Sequence, residues 1–321
     1  MTFFAYSAYG LVLSSDRYRT GLGDSAYIEA VRKGALVRIR RGAFCESSHW
    51  AGLGPRERYV LKIRAATQGS AVPQVLCGYS AAAIWGMPVL DDWPTDVHIV
   101  GRAASGGRSK QGIRRHPVAE TVLHVEERDG LMVTGVARTA LDVALCSPFA
   151  PAIATVDWAL WRKNPHRVAL ESIQHELSVR SPRYGRRHAQ AVIGFATDLS
   201  DSFGESMTRG VIHELGYPTP ELQVRFTDRH GHMDVDYYWR AEDKVGEFDG
   251  AAKYLRTEFR ANLTPGEVVW REKKREDRLR KQCDGVIRII WSEMLNPRLL
   301  DAQLREFGLR PSARPKPCQR D

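Results

Sequence analysis

Apolar and polar positions change period several times along the chain, and each change predicts a different element. Near the front, residues 16–21 read as a short helix and 26–33 as a second, with Ile28 and Val31 turned inward. Gly34 stops that helix, and residues 35–44 alternate as a two-stranded ribbon bent at Gly42. An amphipathic helix follows over 55–68 and a shorter one over 80–85. Residues 95–100, 112–116 and 131–134 alternate as strands. Helical periods then take over at 137–145, 151–161, 167–179 and 183–197. Beyond Phe203 comes a helix over 205–215, with Met207, Val211, Ile212 and Leu215 as its inner stripe. A strand over 222–227, a hairpin, a charged helix within 264–282, a buried strand over 285–291 and a closing helix over 297–307 complete the pattern.

The hairpin, within residues 232–253, holds most of the candidate chemistry. Met233, Val235, Tyr237, Tyr238 and Trp239 give its first strand an aromatic and β-branched character, and Val245 and Phe248 do so for the second. With a turn at 240–243 and Trp239 facing Lys244, counting back puts Asp236 opposite Glu247 and Asp234 opposite Asp249. Like charges across a ladder repel, so such a patch calls for raised pKa values or a cation. Mg²⁺ is commonly held by one or two carboxylates plus substrate phosphate, the equipment of metal-assisted phosphodiester hydrolysis. A different register would instead leave these acids as a solvated outer face.

Charge sharpens this picture. The 321 residues carry a formal net charge of +9, which suits a polyanionic partner, with nucleic acid the default. Helix, turn, helix and ribbon in that order predict a winged helix-turn-helix over 1–50, whose second helix enters the major groove while the wing follows the backbone. Arg32, Lys33, Arg38, Arg40 and Arg41 would contact phosphates there, and Tyr27, Glu29 and Arg32 stand where base edges could be reached. The same fold also serves protein contact alone. Arg271, Lys274 and Arg278 share a face of the charged helix and offer a second phosphate track, or else a solvated surface. Arg138 and Asp142, four apart, are expected to form a structural pair, and Asp157, Trp158 and Trp161 to pack the helices. Glu205 falls in a first helical turn, where the helix dipole favours an acid. Five scattered cysteines without a CxxC pair, no run of membrane-spanning length and no basic-flanked leader predict a reducing, cytoplasmic setting without disulfides or zinc. The expected organisation is an α+β or α/β multidomain chain: the winged helix, a mixed middle region over 51–200, a third domain over 201–308 and a disordered basic tail over 309–321.

Two stretches, Lys33-Gly-Ala-Leu-Val-Arg-Ile-Arg-Arg-Gly-Ala-Phe44 and Gly78-Tyr-Ser-Ala-Ala-Ala-Ile-Trp-Gly-Met-Pro88, resemble AbiEi-type antitoxins. That likeness implies a DNA-binding autoregulator with a partner protein such as a toxin. Four further motifs resemble the restriction-endonuclease-like PD-(D/E)XK superfamily, nearest the branch related to very-short-patch repair. They are Gly204-Glu-Ser-Met-Thr-Arg209, Met233-Asp-Val-Asp-Tyr237, Gly246-Glu-Phe-Asp-Gly250, and Glu272–Leu279 with Val286–Trp291. This second likeness implies an αβββαβ domain in which Asp236 and Glu247 bind Mg²⁺ or Mn²⁺, supported by Glu205. The place of the family's lysine holds Asp249, so Lys253 or Lys273 would have to reach in. The expectation is therefore a Mg²⁺-dependent nuclease acting on DNA, with an RNA-processing nuclease as a separate possibility. The alternative is a non-catalytic antitoxin-like repressor with a degenerate nuclease-like domain.

Overall fold

The structure, a computed structural model, describes residues 4–7, 9–16, 20–68, 70, 72–90, 92–102, 112–118, 123–182, 184–250 and 265–311. It is a mixed α+β protein with several sheets, divided into two compact units, Met1–Val143 and Ala144–Asp321. No helix among the described residues is long and apolar enough to cross a membrane.

The first unit opens with a three-stranded antiparallel sheet. It contains β1 (Leu11–Leu13), β2 (Leu36–Arg40) and β3 (Ala43–Glu46), with β3 in the middle. Alternation along the strands gives the sheet two apolar faces. On one, Val12 and Phe44 pack with Phe4, Tyr27, Ala30 and Leu36. Tyr27 stands 5.4 Å from both the Phe4 and Phe44 rings. On the other, Leu11, Leu13, Ala43 and Cys45 pack against Leu61 and Ala65. These last two come from α3 (Pro55–Thr67), which follows α1 (Asp24–Arg32) and α2 (Ser47–Gly52). A boundary at residue 50 would strip one face of this sheet. The expected middle region 51–200 is in fact divided between the two units.

Two local expectations change here. The buried residues of α1 are Tyr27 and Ala30, with Val31 packed against the same cluster as expected, whereas Ile28 is 67% exposed. The aromatic stack around Tyr27 rotates the helix by about one position relative to its apolar period. The first expected helix is a single 3-10 turn, Ser14–Asp16, and residues 17–19 lie outside the described chain. Gly42, at φ +76°, makes the ribbon bend in a conformation that side chains disfavour.

The rest of the unit is a mixed sheet in the order β6-β5-β4-β8-β7, formed by β4 (Val75–Leu76), β5 (Val97–Arg102), β6 (Ile113–Val118), β7 (Val125–Arg128) and β8 (Leu131–Thr134). With it run α4 (Gly78–Trp85) and α5 (Val136–Ala144). The expected Arg138–Asp142 pair is buried at 2.9 Å, and Asp142 also accepts from the Gly78 backbone N–H at 3.3 Å.

In the second unit α6 (Phe149–Leu160), α7 (Leu170–Arg180) and α8 (Arg186–Phe195) precede α9 (Phe203–Glu214). Then come β9 (Glu221–Asp228), β10 (Gly231–Trp239), β11 (Lys244–Asp249), α10 (Pro265–Leu279), β12 (Gly285–Ile290), α11 (Trp291–Met294) and α12 (Pro297–Glu306). The sheet order is β12-β11-β10-β9, antiparallel except for the β11–β12 pair. Helices α6 and α9 cross closely at Gly210, where an added Cβ would lie 2.7 Å from the Ala150 Cα and Cβ. Alanine is the better helix former by about 1 kcal/mol. The obstructing atoms include backbone and cannot swing away, so overpacking of about 1–3 kcal/mol should win. Gly210→Ala is expected to lower the denaturant midpoint, and a raised midpoint would show that the crossing is loose.

Candidate functional site

The hairpin register is the expected one where the strands pair: Trp239 faces Lys244, Tyr238 faces Val245 and Tyr237 faces Gly246. The ladder stops there. Asp236 and Glu247, next in line, are not ladder partners, and Asp234 pairs instead with Arg225 on β9. On the other edge of β10 the ladder is also broken at Asp236. Gln223 stands opposite it, between the pairs Val235–Val224 and Tyr237–Leu222, with φ +51°. A left-handed conformation is uncommon for a residue with a side chain and marks a local interruption. Register continues across β11, where Glu247 lies beside Arg288 of β12. Gln223, Asp236, Glu247 and Arg288 thus form one row across four strands.

Each acid in this row has resident partners. The Phe248 N–H donates to Asp236 Oδ2 at 2.8 Å, in place of a ladder bond. Glu247 is buried and receives Arg275 Nη1 from α10, while Arg275 Nη2 donates to the Asp234 carbonyl at 2.7 Å. Arg288 approaches Glu247 Oε2 at 4.0 Å, Asp249 Oδ2 at 3.6 Å, and Glu272 and Glu276 at 3.3 Å each. Asp234 is held bidentately by Arg225 at 2.7 and 2.9 Å on the exposed surface. Burial pushes the Glu247 carboxyl up; Arg275 opposes that shift and neighbouring Asp236 adds to it. Burial works against the charge on Arg288, but Glu247, Glu272 and Glu276 outweigh it and raise its pKa.

Glu205 has the role expected of a first-turn acid. Its Oε1 accepts from Ser202 Oγ at 2.7 Å and its Oε2 from the Asp201 N–H at 2.9 Å, while its own N–H donates to Ser202 Oγ at 3.2 Å. Ser202 thus N-caps α9, and the Glu205 carboxylate ties the residues just before the helix to its first turn. Gln223 Nε2 also donates to Glu205 Oε2 at 3.1 Å, tying the helix start to the broken ladder. Tyr237 Oη donates to the Glu205 carbonyl at 2.8 Å.

An Mg²⁺ or Mn²⁺ shared by Glu205, Asp236, Glu247 and Asp249 does not fit this arrangement. Among the described residues no group of three or more His, Cys, Asp and Glu side chains is placed to hold a metal ion. The carboxylates face backbone N–H groups and guanidinium groups, which compensate them one by one. Lys253 lies outside the described residues. Lys273 is exposed on α10.

Of the candidate phosphate contacts, Arg38 and Arg41 are exposed on the ribbon and Arg40 is partly so. None of the three has an ion-pair partner among the described residues. Arg32 is bound bidentately by Glu29 at 2.7 and 2.8 Å, and Lys33 reaches the same carboxylate at 3.3 Å. Tyr27, at 1% exposure, is part of the core and does not reach a base edge. Arg278 also changes role: it holds Asp228 at 2.6 and 2.8 Å, bringing that carboxyl down to about 2. Arg271 and Lys274 remain exposed.

Sequence reasoning missed Arg275, Arg288 and Gln223. A charged residue inside the otherwise apolar strand Gly285–Ile290 was the available signal for Arg288. Nothing local distinguishes Arg275 from the other cations of its helix.

No family model matches the chain. Over 185 residues it is 29% identical to the uncharacterized proteins MT2308 and Rv2248 of two Mycobacterium tuberculosis strains, matching 56% of this chain and 64% of each relative. The chain therefore spans less than two thirds of the length of those relatives. It is also similar to the crystal structure of the RV2827C protein from Mycobacterium tuberculosis, with 19% identity, a TM-score of 0.36, and coverage of 60% of this chain and 78% of that one.

Proposed function

We propose that this protein is a non-catalytic, DNA-binding regulator of the antitoxin-like kind. It grips duplex DNA with the ribbon and helix of its first unit. Its second unit is a nuclease-like scaffold whose acids serve the fold. The observation that carries this reading is the set of resident partners on the acidic row: Arg275 and Arg288 on Glu247 and Asp249, and backbone N–H groups on Asp236 and Glu205. The cations Arg38, Arg40 and Arg41, which have no ion-pair partner among the described residues, support the DNA contact, since phosphate neutralisation is favoured where no carboxylate already holds the charge.

The nuclease reading keeps one observation of its own, the interrupted ladder that sets Asp236 beside Glu247 with Glu205 linked through Gln223. The two readings separate in one pair of assays. The regulator should leave plasmid intact with Mg²⁺ or Mn²⁺. It should retard a fragment from upstream of its own gene, with affinity falling steeply as salt rises. Replacing Arg38, Arg40 and Arg41 by alanine together should weaken that binding roughly tenfold or more and flatten the salt slope by roughly 2 to 3. Metal-dependent nicking that disappears in Asp236→Ala would instead establish the nuclease and remove the regulator reading.

A further inference from the structure

Helix α10 sorts its charges by side. Its inward contact is Leu279, fully buried in the cluster with Met233, Val235, Val245 and Val286. Arg275 and Arg278 are held by Glu247 and Asp228. Trp270 lies nine residues before Leu279, about two and a half turns, and so points the opposite way. It is 57% exposed. Lys274, one turn on, stands over its ring with Nζ 3.4 Å from the centroid. Arg271, Lys273 and Lys274 are exposed and have no ion-pair partner among the described residues. Glu267 and Asp277 are also exposed on this helix, yet Arg271, Lys273 and Lys274 outnumber them beside the indole, which makes it a poor seat for an apolar protein surface. It matches a ligand that offers a flat aromatic face and an anionic backbone together.

We propose that the Trp270–Lys274 face of this helix binds single-stranded nucleic acid. An unstacked base lies on the Trp270 indole, and the adjoining phosphates lie on Arg271, Lys273 and Lys274. In a duplex the bases are already stacked and only phosphates would be within reach, so the tryptophan selects an unpaired strand. This surface belongs to the second unit, and the proposal does not depend on how the ribbon of the first is used.

The test uses the full chain and four probes: an oligothymidylate, an oligouridylate of the same length, an abasic phosphodiester strand, and a duplex. Trp270→Ala should weaken oligothymidylate binding roughly 5- to 100-fold and leave the abasic strand and the duplex unchanged. Trp270→Phe should recover most of the loss. Lys274→Gln should weaken base-bearing and abasic strands alike and reduce the single-strand salt slope by about 0.7. Comparison of the thymidylate and uridylate arms tells DNA from RNA. The proposal is overturned if the wild type binds no single strand, if Trp270→Ala affects all four probes equally, or if the substitution alters only self-association in sedimentation. Loss of duplex binding in the ribbon variant alone would concern the regulator reading and leave this surface standing.

Discussion

Arg209→Met is expected to cost about 3–5 kcal/mol of stability, the largest single-residue effect outside the apolar core. Arg209 on α9 donates to Asp157 Oδ2 at 2.8 Å and to the Phe195 carbonyl at 2.7 Å, and its guanidinium lies 4.3 Å over the Phe195 ring. Its side chain is 4% exposed and that of Asp157 is 2% exposed. One side chain thus joins α6, the end of α8, and α9. Methionine would keep much of the apolar contact and leave Asp157 with the Thr197 N–H at 2.7 Å and the Ser206 hydroxyl, neither of them charged. Burial already pushes the Asp157 carboxyl up, so an uncompensated charge there is costly. Asp157→Asn in the Arg209→Met background should recover a substantial part of the loss, because the stranded charge is gone. A double variant no more stable than the single one, measured by denaturant unfolding, would show that Arg209 acts by packing alone.

The second expectation concerns the acidic row. Arg275→Met should destabilise the protein by about 2–3 kcal/mol near neutral pH. This falls below the range for a fully buried pair because the Arg275 side chain is 28% exposed. The penalty should depend on pH in a definite direction. Burial raises the Glu247 carboxyl above its unfolded value even with Arg275 present, so the folded state takes up this proton more readily than the unfolded chain. That contribution favours the fold below the ordinary carboxylate range and is lost as pH rises through the folded pKa. Removing Arg275 raises the folded pKa further. The penalty should therefore be largest at alkaline pH and shrink toward the ordinary carboxylate range, where a protonated Glu247 no longer needs a cation. Glu247→Gln should rescue Arg275→Met at high pH. A penalty that stays flat with pH would mean that Glu247 is not the group Arg275 compensates.

The same arginine bears on function. Were the row a metal-binding site awaiting its cation, loss of Arg275 would leave a competent cluster, and added Mg²⁺ or Mn²⁺ should restore the stability of Arg275→Met. Under the regulator reading no divalent ion should do so, because Asp236 and Glu205 remain tied to backbone N–H groups.

What the sequence determined by itself is local and short in range. Turn chemistry and alternation set the hairpin register, and Trp239 does face Lys244. Apolar periods placed most helices and the longer strands to within a few residues. The spacing of Arg138 and Asp142 foretold a helical pair, and Glu205 sits in the first turn of its helix, where the dipole favours an acid. These features depend on residues a few positions apart, whose geometry the backbone fixes directly. Strands as brief as Val75–Leu76, or as charged as Val125–Arg128, left no such signal. Tertiary structure alone decided which side of α1 faces inward, because the Phe4–Tyr27–Phe44 stack draws on three separate segments. It also decided what the acids do. Four carboxylates in a hairpin look like a cation site when only the hairpin is visible. Arg275 and Arg288 arrive from a helix and a strand far along the chain, and whether a buried carboxylate needs a metal or already has its counter-charge depends on groups that no local pattern records.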